Sequence, residues 1–258
     1  MYATNYLETA ILNLLRGMSI TAPATVYMAL YFNSPGESGQ SGTEVSYTGY
    51  ARQPITFSAP AALNGGIGVQ NSADITFAQA SVSVGTVTHI GVLDSLTGGN
   101  MLLYAELTES LVINANEAPV IVAGEAQWWL TGNMSNVYKT KVLNILRSVN
   151  CPGFAPFLSL WGGNPEDGGA ELSGGGYARV ELTFDAPEEQ QTGQMKTSNS
   201  LRATTNRSTS AWGTWIYTVV MDAAANGNPV FFVQRTAKDI RKGLLVIVES
   251  GDLSLVVN

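Results

Sequence analysis

Gly49-Tyr50-Ala51-Arg52 stands again, unchanged, as Gly176-Tyr177-Ala178-Arg179, and working outward from this pair reveals the organisation of the whole chain. Upstream, Leu12-Asn13-Leu14-Leu15-Arg16 returns as Leu143-Asn144-Ile145-Leu146-Arg147, and Glu44 returns as Glu171, each eight residues before its arginine. Downstream, Thr56-Phe57-Ser58-Ala59-Pro60 returns as Thr183-Phe184-Asp185-Ala186-Pro187, Leu93-Asp94 as Met221-Asp222, and Gly99-Asn100 as Gly227-Asn228. All these matches lie 127 to 131 residues apart and keep their order. Chance identities would not stay collinear, so the chain reads as a tandem duplication, residues 1–131 followed by a diverged copy, 132–258. A period this long implies two domains rather than a solenoid, since each unit is large enough for a core. The join, Thr131-Gly132-Asn133, is short enough to hold the domains in a fixed relation.

Each repeat opens on a helical pattern. Leu7, Ala10, Ile11, Leu14, Leu15 and Met18 share one face at 3.6-residue spacing, with Asn5 and Glu8 at the spacing of a capping box and Gly17 as the stop. The second copy runs through Tyr138, Val142, Ile145, Leu146 and Val149 to Pro152. After each helix the pattern changes to short β-rich runs bounded by Gly, Pro, Asn and Ser: Val26–Phe32, Pro54–Phe57, Ile75–Phe77, Val87–Leu93, Met101–Leu107, Leu111–Ile113 and Gln127–Leu130. Turn signals about every ten residues predict two β-sandwich or jelly-roll-like domains, each preceded by one amphipathic helix. Asp94 to Gly99 and Asp222 to Gly227 read as hairpin loops, with Asp at the entry and Gly supplying positive φ.

Composition restricts the chemistry. Of 258 residues 45% are apolar and 13% charged, enough for a packed core. A net charge of −7 without a basic block argues against nucleic acid as partner. One cysteine, Cys151, and one histidine, His89, leave no disulfide framework, no Cys- or His-rich zinc site and no Ser-His-Asp triad to build. No metal and no cofactor is expected. Apolar runs such as Leu244–Val248 are too short to cross a bilayer, and the first residues lack the basic start of a secretory signal. The sequons at Asn133 and Asn206 therefore carry no expectation of glycosylation.

Individual candidates favour structural readings. Asp94 and Asp222 belong to different repeats and sit where turns favour Asp, so a paired-carboxylate hydrolase is a remote alternative. His89 is replaced in the second repeat by Tyr217, which is neutral at physiological pH, so an indispensable catalytic role is not expected, and Cys151 reads as a small packing residue. Gly65-Gly66-Ile67-Gly68 and Gly174-Gly175-Gly176 lack the Lys-Ser/Thr of a phosphate loop and read as flexible loop tips. Trp128, Trp129, Trp212 and Trp215 are candidates for an oligomer interface or a glycan-stacking surface, with core packing as the plainer use. The repeated set Glu44, Gly49, Tyr50, Arg52 and Glu171, Gly176, Tyr177, Arg179 reads as a structural latch in which a planar guanidinium holds carboxylate and carbonyl oxygens together.

The first repeat also resembles a family of small virion proteins of tailed bacteriophages, commonly labelled phage tail fibre proteins. The matching elements are the leading helix, Gly42-Thr43-Glu44-Val45, Gly49-Tyr50-Ala51-Arg52-Gln53, Asn71 with Ile75-Thr76-Phe77, Thr88-His89-Ile90-Gly91-Val92, and Asp94 with Gly98-Gly99. The second repeat departs from them at Val180, Tyr217 and Asn226-Gly227, which stand in place of Gln53, His89 and the double glycine. The resemblance implies a non-enzymatic structural protein of the virion surface, assembled in the host cytoplasm and displayed as a capsid decoration or a short fibre. Its implied partners are copies of itself, with a homotrimer favoured, and other virion proteins such as the major capsid or tail proteins. No membrane insertion is implied. The alternative is a receptor-binding module that takes host surface glycans.

Overall fold

A computed structural model describes residues 1–191 and 193–257. The fold is mainly β, with 39% of residues in strands and 11% in helices. In the first half the elements are β1 (Tyr2–Ala3), α1 (Asn5–Asn13), β2 (Val26–Tyr31), β3 (Gln53–Ile55), β4 (Ala61–Leu63), β5 (Gly66–Gln70), β6 (Ile75–Thr76), β7 (Gly85–Leu93), β8 (Met101–Ile113), β9 (Val120–Ile121) and β10 (Gln127–Leu130). The second half continues with α2 (Asn136–Leu143), β11 (Phe157–Trp161), β12 (Val180–Glu181), β13 (Glu188–Glu189) and β14 (Met195–Ser198). It ends with β15 (Ala203–Thr204), β16 (Gly213–Met221), β17 (Pro229–Ile240), β18 (Ile247–Val248) and β19 (Ser254–Val257).

The duplication holds sheet by sheet. The order β8-β7-β2-β3 recurs as β17-β16-β11-β12, β10-β5-β4 as β19-β14-β13, and β6-β9 as β15-β18, with all strand pairs antiparallel. Even the first strand has an echo: β1 pairs Ala3 with Leu103 on the edge of β8, and Met134 bridges to Phe231 at the same place on β17. Within each half the larger and smaller sheets share apolar packing, Met28, Leu30 and Val92 facing a core that includes Val69 and Trp128.

Two details differ from the sequence expectation. Gly65-Gly66-Ile67-Gly68 is not a loose tip. Asn64 and Gly65 (φ 49° and 78°) form the turn of the β4–β5 hairpin, and Gly66 and Gly68 lie inside β5. A Cβ on Gly66 would stand 2.2 Å from the Leu130 carbonyl oxygen, and one on Gly68 2.8 Å from that of Trp128, so β10 can approach only because both are glycine. Nor is Glu8 part of a capping box. It is fully buried, and its Oε2 accepts a hydrogen bond from Met195 N of the second half at 2.8 Å.

That bond is part of a wider exchange. Helix α1 packs on β14 and β19 of the second half as well as on β8, and α2 packs on β5 of the first half as well as on β17. Just beyond the helices Ile20 and Cys151 bridge reciprocally, with N–H to O distances of 2.8 and 3.0 Å. Around them Gly153 N donates to Ser19 Oγ at 3.0 Å and Ala22 N to Asn150 Oδ1 at 2.9 Å. Residues 131 apart thus contact each other across a local twofold relation, the pattern of an isologous interface carried within one chain. One apolar cluster runs through both halves, from Leu7 and Ile11 to Leu253 and Leu255.

Candidate functional site

The repeated motif forms the same polar cluster twice. Glycines 49 and 176 adopt φ values of 91° and 81°, turning the chain tightly so that Tyr50 N bonds back to Tyr47 O and Tyr177 N to Gly174 O. The turn presents tyrosine and arginine to the glutamate that lies alongside the preceding strand, Glu44 opposite Tyr31 and Glu171 opposite Trp161. Arg52 holds Glu44 by both prongs, Nε to Oε1 at 3.0 Å and Nη2 to Oε2 at 2.8 Å. Arg179 holds Glu171 the same way at 2.9 and 2.6 Å. Each remaining Nη1 reaches the next hairpin loop: Arg52 donates to Ser95 O and Gly98 O at 2.9 and 2.7 Å, Arg179 to Ala223 O and Asn226 O at 2.7 and 2.6 Å.

The tyrosine hydroxyl completes the cluster. It accepts from a strand N–H, Leu30 or Leu160, at 3.0 Å in both copies, and donates to the glutamate at 3.3 Å in the first and 2.8 Å in the second. Burial pushes both hydroxyls above the usual tyrosine range, and the adjacent carboxylate adds to the shift, so they remain donors. The rings themselves pack, Tyr50 stacked on Phe77 and Tyr177 edge-on to Trp212. The guanidinium side chains are 10% and 8% exposed, while the glutamates keep 28% and 23%, so each pair is shielded but not sealed.

The loops that the arginines grip are organised by Asp94 and Asp222. Asp94 takes Asn100 N at 2.7 Å and Asn100 Nδ2 at 2.9 Å, and Asp222 takes Asn228 N at 2.6 Å and Nδ2 at 3.1 Å. Asp222 gains two further donors from α2, the Tyr138 hydroxyl at 3.0 Å and Lys141 Nζ at 3.3 Å. Burial alone would raise its carboxyl, but these hydrogen bonds outweigh burial and hold it below the ordinary range.

The remaining candidates disperse. Trp128 and Trp212 are core residues, 1% and 4% exposed, and present no ring face to a sugar or a partner. Trp215 is half-buried and donates to Tyr217 O, while Trp129 is half-buried on the wall of a groove beside β8. His89 Nδ1 lies 2.8 Å from Thr88 Oγ1. Cys151 is buried at the twofold contact, and burial raises its thiol. Among the described residues no cluster of His, Cys, Asp and Glu could hold a metal ion. The loop carbonyls gripped by Arg52 and Arg179 have no signature in side-chain type, so motif reading could not find them.

Two equivalent latches tying two equivalent hairpins agree with what the family comparison finds. A family model described as Podophage GP4 fiber I protein gp80 matches residues 2–128 and, a second time, residues 133–256. No curated protein matches the chain. Covered almost end to end by two copies of that model, the chain belongs to the Podophage GP4 fiber I protein gp80 family of phage fibre proteins and is a structural, virion-associated protein.

Proposed function

We propose that the chain is a non-catalytic, surface-mounted component of a tailed-phage particle, serving as a short fibre that also braces the protein it docks on. The carrying observation is what the halves have in common. Glu44, Tyr50 and Arg52, like Glu171, Tyr177 and Arg179, are all engaged in holding hairpin loops against a strand. Asp94 and Asp222, the carboxylates most suggestive of catalysis, cap the turns of those loops. Both halves therefore devote their repeated polar residues to rigidity, which suits a part that transmits load or fixes a spacing. Its partners would be other virion proteins, such as the major capsid or tail proteins, and further copies of itself.

Surface labelling of purified virions, followed by mass spectrometry, tests this. Lysines and carboxylates of the chain should be modified on intact particles, and the chain should release no sugar from host polysaccharide. Absence from washed particles, or labelling only after disruption, would overturn the surface position. A receptor-binding role has the half-buried ring of Trp129, in a groove also lined by Gln127 and Glu109, in its favour. Glycan-array binding lost in Trp129→Ala would establish that reading instead.

A further inference from the structure

The duplicated halves have the same fold but not the same charge. Residues 1–131 carry nine carboxylates and two arginines, whereas residues 132–258 carry eleven carboxylates and eleven lysines and arginines, so the whole net charge of −7 resides in the first half. The contrast is sharpest on the long edge strands. Beyond Tyr104 the outer edge of β8, and beyond Phe232 that of β17, has no strand partner among the described residues. Bulges at the same place in both, Leu107–Ser110 opposite Thr88 and Arg235–Ala237 opposite Ile216, break the ladder. Such bulges discourage plain strand addition and leave side chains to make any contact.

On β8 those side chains are acidic. Glu106 and Glu109 are exposed, make no ion pair or side-chain hydrogen bond among the described residues, and line a groove of about 760 Å³. Glu125 also lines the groove, its Oε2 accepting from Val122 N at 3.0 Å. The groove's one cation, the Met1 ammonium, is engaged by Gln127 O at 2.9 Å. On the second half the basic residues lie past the bulge, at the far end of the equivalent strand: Gln234 is the counterpart of Glu106, and Lys238 that of Leu111. Lys238, Arg241 and Lys242 are exposed without an ion pair among the described residues, and Arg207 joins them through its bond to Gly243 O. Gln79 occupies the place of Arg207 in the first half and makes the same contact, to Asn116 O at 2.7 Å. The only carboxylate within the basic end's own strand, Asp239, is bonded to Thr214 Oγ1.

We infer that the acidic groove along β8 receives the basic end of β17 from a second copy of this chain, so that copies join head to tail. Complementary charge selects the occupant: two first halves facing each other would oppose Glu106 and Glu109 with their own kind, whereas first against second half pairs each carboxylate with a cation. A heterologous contact of this kind closes into a ring or continues as a row, and closure at three copies would give the trimer that the fibre resemblance implies. The surface exists wherever on the particle the chain is mounted, so its failure would leave the virion role standing.

Sedimentation velocity of the full chain at 50 mM and 500 mM NaCl is the test. The wild-type chain should self-associate at low salt, with a dissociation constant about tenfold weaker at high salt. Glu106→Lys with Glu109→Lys, and separately Lys238→Glu with Arg241→Glu and Lys242→Glu, should each give folded monomers by circular dichroism. All five changes in one chain should restore assembly. A wild-type chain that stays monomeric at low salt, a charge variant that assembles like the wild type, or a five-fold variant that remains monomeric would each overturn the inference.

Discussion

At the scale of single residues the latch is the most testable feature. Arg52 supplies four hydrogen bonds, two to Glu44 and two to loop carbonyls, from a side chain that is 10% exposed. Removing it strands a shielded carboxylate and frees the 95–98 loop, so Arg52→Ala should lower stability by about 3 kcal/mol in denaturant titration. Arg179→Ala should cost the same amount, and lysine should rescue little, because one ammonium cannot grip both carboxylate oxygens while reaching the loop. The glutamate-arginine spacing was legible from the repeat itself. The destination of the third guanidinium nitrogen was not, since a carbonyl 43 residues on leaves no trace in residue type.

Glu8 yields a second prediction. Burial, with the Glu37 and Glu189 charges nearby, pushes its carboxyl up to about 8, against the hydrogen bond from Met195 N, which favours ionisation. Folding therefore holds a proton that the unfolded chain releases near its ordinary value, and stability falls as pH rises from about 5 to about 8. Asn5 and Tyr104, bonded to Glu189 and Glu37, share this corner. Glu8→Gln keeps an acceptor for Met195 N and should flatten this slope, raising the melting temperature above pH 7 while leaving it unchanged below pH 5. An undiminished slope in the variant would show that Glu8 does not titrate in this range.

Among the elements, β5 shows where sequence patterning misleads. Its Gly66-Ile67-Gly68 run reads as a loop because glycine is poor in strands, yet the glycines are needed by the neighbour and not by the strand. A methyl group on Gly66 meets backbone, which cannot swing aside, so Gly66→Ala should separate β5 from β10 and cost about 2 kcal/mol or more. Gly65→Ala probes the turn alone. A Cβ there meets nothing within 4 Å, so its smaller loss should reflect only the positive φ. The Asn64-Gly65 pair is a hairpin signal that could have identified the element. Helix α1, by contrast, was legible in its apolar periodicity from Leu7 to Leu15, whereas Gly17, at φ 77°, caps the 3-10 turn Leu14–Arg16 that follows the helix, and Met18 beyond it is exposed. What covers the helix was not legible, because periodicity reveals that a face is buried and never which half buries it.

For the whole molecule, the exchanged helices make the two halves depend on each other. Residues 1–131 alone would expose the face of α1 that β14 and β19 cover, together with the Ile20 edge that Cys151 satisfies. The isolated half should accordingly melt well below the full chain or pair with itself, and mixing it with 132–258 should recover the seam. An isolated half that is monomeric and melts with the full chain would refute this dependence. The central claim is larger: two copies of one fibre fold, locked back to back, form a rigid part on the outside of a phage particle. Cryo-electron microscopy of the intact virion tests it most directly. The account predicts external density that accepts both halves as one unit with the Ile20–Cys151 seam intact. Density placing the chain inside the shell, or the two halves apart from each other, would contradict it.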